Sequence, residues 1–310
     1  MQILTSSNLN TGPVQPTIQP LLITGANGTL GQAFRRICAI RGIETVVLGR
    51  QELDITDPLA VERALTQYNP WAVVNAAGYV KVDEAEKDFA RCYRENTTGP
   101  AILAAACAYR DVHFLTFSSD LVFDGRKSTA YVETDLPRPL NVYGNSKRLA
   151  EREVLQCMPK ALVVRTSAFF SPWDEYNFVY YALKAGYQNH PFEAADNVLI
   201  SPTFVPDLVN VSLDLLIDEE CGVWHLANQG SYTWAELARL AADIGGLDTA
   251  FVVPKPMHTF GLAADRPVYS VLESQQGNLL PSVEHRLHGC VGEMMHALRT
   301  TPDEPMAVAS

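Results

Sequence analysis

Tyr143 and Lys147 stand four residues apart, and Ser119 lies upstream of them, just past the apolar run from Val112 to Phe117. In a helix, positions i and i+4 share a face one turn apart. A phenol, an ammonium and a hydroxyl brought together suit the reduction of a ketone. Hydride attack on the carbon throws negative charge onto oxygen, and that oxygen needs a positioned donor in the transition state. Tyr143 can give the proton. Lys147 can draw the phenol down from its ordinary pKa of about 10 and hold a ribose, while Ser119 shares the substrate oxygen and fixes its orientation. On spacing alone the Tyr/Lys pair fits a helix face without chemistry as readily, and Ser119 fits a loop cap.

A hydride needs a carrier, and the N-terminal part of the chain offers a site for one. Leu21-Leu22-Ile23-Thr24 is apolar and too short for a helix. It runs into Gly25, Gly28 and Gly31, after which Gln32 to Ile40 shows helical spacing. Strand, tight turn and helix in that order make a dinucleotide loop. The first glycine permits the turn, the second lets a pyrophosphate approach bare backbone, and the third lets helix and strand pack closely. The phosphate then meets the N–H groups and dipole of a helix N-terminus. The second strand, Ile43 to Leu48, ends at Gly49-Arg50. A carboxylate there holds a ribose 2′-hydroxyl, whereas an Arg accommodates a 2′-phosphate, so Arg50 favours NADP(H), with NAD(H) as the second choice. A surface Arg at a strand end is the plainer reading.

The elements that must position these groups alternate. Asp57-Pro58 starts a helix to about Gln67, Trp71 to Asn75 is a strand, and Ala76-Ala77-Gly78 follows with side chains small enough for a flat ligand. A long helix from about Asp83 to Tyr109, interrupted near Thr98-Gly99-Pro100, leads to the strand Val112–Phe117. Asn141 opens the helix of Tyr143 and Lys147, Ala161–Arg165 is a further strand, and Thr233 to Glu236 forms a capping box. This predicts an α/β fold with a doubly wound parallel sheet of Rossmann type and a smaller C-terminal lobe. The domains expected are residues 20–170 for the dinucleotide, with 203–230 returning to them, and 171–202 with 231–300 for the substrate. Residues 1–19 and 301–310 are read as tails.

The bulk properties narrow the partners. The 310 residues are 47% hydrophobic, enough for a full core, and the formal net charge of -11 offers no basic surface to nucleic acid. Six scattered cysteines, without a C-x-x-C pair, read as free thiols in a reducing compartment. No apolar run approaches a membrane span, and the N-terminus lacks a signal-peptide pattern. The cytoplasm is therefore the expected location, and no metal site is predicted.

Together the stretches Thr24-Gly25-Ala26-Asn27-Gly28-Thr29-Leu30-Gly31, Asn75-Ala76-Ala77-Gly78, Ser118-Ser119-Asp120 and Tyr143-x-x-x-Lys147 resemble the extended short-chain dehydrogenase/reductase family over about Pro20 to Arg299. Val82 to Glu86, Pro139 to Gly144, Arg165-Thr166-Ser167, Asn177-Phe178 and Ser201-Pro202-Thr203 are similar to its sugar-nucleotide 4-ketoreductases. The resemblance implies a catalytic triad of Ser119, Tyr143 and Lys147. It implies cofactor contacts at Asn27, Thr29, Leu30, Asp54, Ile55, Ala76, Ala77 and Ala168, a supporting role for Asn96, and substrate contacts at Val82, Ser119, Asp120 and Asn177. The substrate implied is a small-molecule sugar nucleotide, and a homodimer is compatible with it. Where those ketoreductases carry aromatic residues touching the sugar, this chain has Leu121 and Ala168, which enlarges the pocket unless Phe169, Phe170 or Trp173 completes it. An epimerase or dehydratase, and a non-catalytic dinucleotide-binding regulatory subunit, remain open alternatives. A dehydratase would carry an Asp-Glu pair after the catalytic hydroxyl, which Ser119-Asp120-Leu121 lacks.

Overall fold

The computed structural model describes residues 19–300 except residue 175. The two tails read from the sequence thus lie outside the described residues, apart from Gln19. Six parallel strands form the central sheet: β1 (Leu21–Thr24), β2 (Thr45–Leu48), β3 (Ala72–Asn75), β4 (His113–Phe117), β5 (Leu162–Arg165) and, after four short strands of the second lobe, β10 (Gly222–His225). The order across the sheet is β10-β5-β4-β3-β1-β2. Leu21 registers with both Thr45 and Ala72, so the chain turns outward in opposite directions from β1. A crevice opens at the carboxyl ends of strands where the order reverses, here between β1 and β3. The strands are almost continuously apolar because both sheet faces are covered. Helices α1 (Thr29–Arg41) and α8 (Val205–Ile217) bury Phe34, Ile37, Leu208 and Val209 on one face. The opposite face is covered by α2 (Pro58–Tyr68), α5 (Gly99–Arg110) and α6 (Val142–Cys157), with Val61, Leu65, Leu103 and Val154 in its core.

Local signals act where the sequence places them. The Asp57 carboxylate accepts from Leu59 N at 2.9 Å ahead of Pro58, and Asn141 caps α6 by accepting from Gly144 N at 2.7 Å. The helix expected from about Asp83 to Tyr109, with an interruption near Thr98-Gly99-Pro100, is instead four pieces, three of them contiguous from Phe89 to Arg110. These are α3 (Val82–Ala85), α4 (Phe89–Tyr93), a π turn (Arg94–Thr98) and α5. The helical hydrogen bonds continue past Pro100 because the chain widens to π geometry just before it, where the proline's missing donor is absorbed.

The second lobe lies beyond β5. It holds the strand pairs β6 (Phe169–Phe170) with β9 (Thr203–Phe204), β7 (Phe192–Ala195) with β12 (Val252–Lys255), and β8 (Leu199–Ile200) with β11 (Tyr232–Thr233). Helices α7 (Phe178–Tyr187), α9 (Trp234–Ile244) and α10 (Val283–Thr300) pack a separate core around Leu183, Leu237, Leu287 and Met294. The capping box that opens α9 is complete at both bonds.

A buried polar network joins α6 to the sheet. Arg165, at the end of β5, forks onto both oxygens of Glu151 at 2.8 and 2.7 Å, and Ser118 Oγ donates to the same carboxylate at 2.5 Å. His225 Nδ1 donates toward the carbonyls of Glu273 (2.9 Å) and Tyr131 (3.1 Å), leaving Nε2 to accept from Arg165 at 3.2 Å. Burial, followed by the Arg165 charge, pushes the His225 imidazole down to about 4. The unfolded chain protonates His225 near its ordinary value of about 6.5, so its contribution is complete above that pH and drains away as pH falls toward 4. Urea denaturation between pH 7 and 4.5 should therefore show the wild-type protein losing about 2 kcal/mol more than His225→Gln. Parallel pH dependences for the two proteins would contradict a neutral buried imidazole.

Candidate active site

Two cavities lie at the carboxyl ends of the strands. The smaller, about 260 Å³, lies over the crevice between β1 and β3 and is lined by Gly25, Ala26, Asn27, Gly28, Gly49, Arg50, Asp54, Ile55, Ala76, Ala77 and Gly78. The glycines of the loop divide the labour. Gly25 sits at φ +79°, and a Cβ there would stand 2.6 Å from the Ala76 backbone; on Gly31 it would stand 2.1 Å from the Gly25 carbonyl. A Cβ on Gly28 meets nothing nearer than 3.6 Å, and no side chain caps α1 at this residue. The first and third glycines are thus demanded by the protein's own packing, whereas the second leaves bare backbone facing open space at a helix N-terminus, which suits a pyrophosphate.

Arg50 reaches the wall of this cavity with its guanidinium on Glu95, 2.7 Å away. Glu95 lines the cavity because the π turn rotates it inward, and Arg91 grips the same oxygen at 2.7 Å. Burial raises the Glu95 carboxyl, but the two guanidinium groups outweigh it and hold it below the ordinary carboxylate range. Asn96, the next residue of the π turn, accepts from Tyr79 N (2.7 Å) and donates to Tyr79 O (3.0 Å) and Ser146 Oγ (3.0 Å), clasping the loop after β3 to α6. Thr56 donates its N–H and hydroxyl to Asp54 at 2.9 and 2.7 Å, which keeps that carboxyl low.

The larger cavity, about 450 Å³, lies between the sheet and the second lobe. Ser119, Asp120, Leu121 and Tyr143 line one wall, Val82 and Ala168 flank them, and Phe178, Trp234, Met257 and Phe260 supply apolar surface from the lobe. Ala168 adopts φ +36°, a left-handed turn in which its carbonyl accepts from Thr203 N at 2.9 Å. Lys147 lies half-buried between the cavities. Its Nζ is 5.8 Å from the centre of the Tyr143 ring and 3.7 Å from where a Cβ on Gly78 would stand, and it donates to Phe117 O at 3.1 Å. Burial lowers the ammonium to about 8. The Tyr143 phenol moves upward, against the direction read from its neighbour Lys147, because burial and then the Asp120 charge dominate. A phenol held protonated is the form that can give a proton.

Some site residues read from the sequence are placed elsewhere. Asn177 does not line the substrate cavity. It caps α7, accepting from Tyr180 N at 3.0 Å and donating to Ser171 O at 3.1 Å, so its amide is fully engaged. Ala168 faces the larger cavity rather than the glycine-loop one. Leu30, in the first turn of α1, is buried in the core, and Thr29 donates to Asp174 at 2.7 Å beside a third cavity. Phe169, Phe170 and Trp173 do not line the larger cavity; Phe170 is core and Trp173 lies under the Arg36 guanidinium, 5.0 Å away. The lobe residues Trp234, Phe260, Arg266 and Ser270 escaped the sequence reading. Ser270 donates to Asp120 at 2.6 Å, and Ser119 donates to the other Asp120 oxygen at 3.0 Å. No group of three or more metal-binding side chains occurs among the described residues, and none of their helices is long and apolar enough to cross a membrane.

The crevice at β1 and β3, the Ser119, Tyr143 and Lys147 grouping beside it and the lobe over the sheet define an α/β fold of the extended short-chain dehydrogenase/reductase type. The model of the RmlD substrate binding domain matches residues 19–291, and the chain belongs to that family. It is 36% identical over 261 residues to a dTDP-4-dehydrorhamnose reductase of Mycobacterium tuberculosis, covering 83% of this chain and 85% of that one. A dTDP-4-keto-6-deoxy-D-glucose reductase of Streptomyces niveus is 30% identical over 253 residues, 81% of this chain and 87% of the relative. Among solved structures, the dTDP-4-dehydrorhamnose reductase of Bacillus anthracis in complex with NADP superposes with a TM-score of 0.85 at 29% identity, covering 89% of this chain and 100% of that one.

The division among the glycines is measurable. Gly28→Ala should leave the melting temperature unchanged while weakening NADPH binding by about tenfold, read by fluorescence titration, because only the ligand needs that space. Gly25→Ala should lower the melting temperature outright. Equal loss of stability in both would contradict the assignment.

Proposed function

We propose that this protein reduces the keto group of a 4-keto sugar nucleotide with NADPH, Tyr143 acting as the proton donor. The observation that carries the reading is the placement of Lys147 between two cavities, with Gly78 of the glycine-loop cavity on one side and Tyr143 of the larger cavity on the other. When bound, the reduced dinucleotide supplies the hydride. Gly28 and the N-terminus of α1 receive its pyrophosphate, Ala76, Ala77 and Gly78 give it a flat bed, and Arg50 turns from Glu95 toward a 2′-phosphate. Ser119 and Tyr143 hold the substrate carbonyl oxygen from the wall of the larger cavity. As charge develops on that oxygen, the protonated phenol delivers its proton there, and the Lys147 ammonium beside the ring stabilises the phenolate left behind. The relatives named as reductases of dTDP-linked 4-keto sugars support this substrate class.

Leu121 and Ala168 both face the larger cavity, whose rings, apart from Tyr143, come from Phe178, Trp234 and Phe260 of the second lobe. We infer a sugar bulkier than, or substituted differently from, 4-dehydrorhamnose, since each stacked ring forgone removes about 0.5–1.5 kcal/mol of binding.

The test follows NADPH absorbance with 4-keto sugar nucleotides. Consumption of one NADPH per sugar is expected. Tyr143→Phe should lower kcat by at least about a hundredfold with NADPH affinity retained, and wild-type turnover by that variant would overturn the proton donor. Arg50→Ala should weaken NADPH about tenfold and leave NADH unchanged; equal losses would remove the preference for the phosphorylated cofactor. Because Lys147 must be charged and sits at about 8, kcat should decline as pH rises above 8, and Lys147→Arg should abolish that decline.

A further inference from the structure

An ordinary helix start needs one acceptor side chain and leaves its remaining free N–H groups to water. The first turn of α6, which carries Tyr143, is held more firmly. Asn141 Oδ1 accepts from Gly144 N at 2.7 Å, and Asn141 Nδ2 donates to the Asp265 carbonyl of the second lobe at 2.7 Å. Gly144 N can only donate and that carbonyl can only accept, so the amide has one orientation. Glu86, at the C-terminal end of α3, accepts from Val142 N at 2.8 Å. Toward Ser119 the turn rests on backbone, for a Cβ on Gly144 would stand 2.1 Å from the Leu121 carbonyl oxygen. That contact stops the helix moving inward but cannot stop it moving outward.

The lobe end of these bonds belongs to the cavity wall. Leu262, Arg266, Pro267 and Ser270 all line the larger cavity. Within this segment Ala264 N donates to Asp83 Oδ1 at 3.0 Å, and Arg266 forks onto Asp83, with Nη2 2.5 Å from Oδ2 and Nη1 3.2 Å from Oδ1. Asp83 lies in α3, three residues ahead of Glu86. The lobe segment thus reaches the start of α6 by two routes, directly through Asn141 and across α3 through Asp83 and Glu86.

We propose that Asn141 and Glu86 are positioning residues that fix the Tyr143 phenol relative to the lobe wall of the larger cavity. The proposal rests on the 4-keto sugar reading above and names what keeps its proton donor within reach of the substrate. A ligand filling the larger cavity is placed by both walls, whereas Tyr143 belongs to the sheet side alone. Proton transfer needs the phenol and the carbonyl oxygen at hydrogen-bond distance, so the two walls must keep a fixed separation. The bonds at Asn141 and Val142 flank Tyr143 on its N-terminal side and supply the restraint that the Gly144 contact lacks. A plain cap explains the oxygen of Asn141 but not its nitrogen, because Ser or Asp caps a helix equally well.

The experiment follows NADPH consumption by the full chain with the dTDP-linked 4-keto sugar that the wild-type protein turns over fastest, beside melting temperature and NADPH affinity. Asn141→Ser and Asn141→Asp both keep a capping oxygen and lose the donor to Asp265. Each should melt close to wild type and show a kcat lower by at least about tenfold. KM for the sugar nucleotide and NADPH affinity should change by less than about threefold. Glu86→Ala should show the same loss of kcat, and Glu86→Gln, whose amide oxygen can accept from Val142 N, should recover most of it. Wild-type kcat in either folded Asn141 variant, or equal losses in the two Glu86 variants, overturns the proposal. The Glu86 arm stands should the Asn141 variants fail to fold. If the wild-type protein binds NADPH yet consumes none with any such sugar, the sugar-nucleotide reading itself fails and takes this proposal with it.

Discussion

The arrangement depends on one buried ion pair. Glu151 lies one helical turn beyond Lys147 on α6, and the bidentate grip of Arg165, reinforced by Ser118, pins that turn to the ends of β4 and β5. Ser118 is the residue before Ser119, so a single carboxylate ties the strand end that carries one hydroxyl to the helix that carries the phenol and the ammonium. Two charges taken from water gain little net stability over an apolar pair, but losing one partner leaves the other stranded. What the pair provides is register. A slip of α6 by one residue would rotate Tyr143 away from the larger cavity and Lys147 from Gly78.

Around that fixed point the protein keeps its cationic groups partnered without committing them. Arg50 on Glu95 and Arg266 on Asp83 are paired at the mouths of two cavities in a strongly acidic chain. Lys147 is different: it is half-buried, bonded to a backbone carbonyl, and lowered to about 8 by its surroundings. The contrast separates guanidinium groups paired to carboxylates from an ammonium held 5.8 Å from the centre of the Tyr143 ring.

The parts legible in the sequence are those whose signals are local. Three glycines after an apolar run, Asp57 before Pro58, the Thr233 capping box and the i, i+4 spacing of Tyr143 and Lys147 all lie within a few residues of the structure they make. The pairings of Arg165 with Glu151 and of Arg266 with Asp83 join residues whose proximity only the fold creates. Asn177 shows the converse: the same polar residue of a family-like stretch also serves as a helix cap, accepting from Tyr180 N. The lobe's wall is less legible because its strands are two to four residues long and Met257, Phe260 and Arg266 come from a proline-broken segment without a period. The π turn at Arg94–Thr98 was hidden because its residues keep helical spacing while the hydrogen bonds shift.

The claim that Glu151 sets the register of the helix carrying Tyr143 and Lys147 is tested most directly by the turnover of Glu151→Gln. This change preserves side-chain shape but turns a donor or a neutral oxygen toward Arg165. The account predicts a kcat lower by at least about tenfold, because small misplacements of a proton donor are costly, with NADPH affinity within about threefold of wild type. Wild-type kcat in a folded Glu151→Gln protein would contradict it.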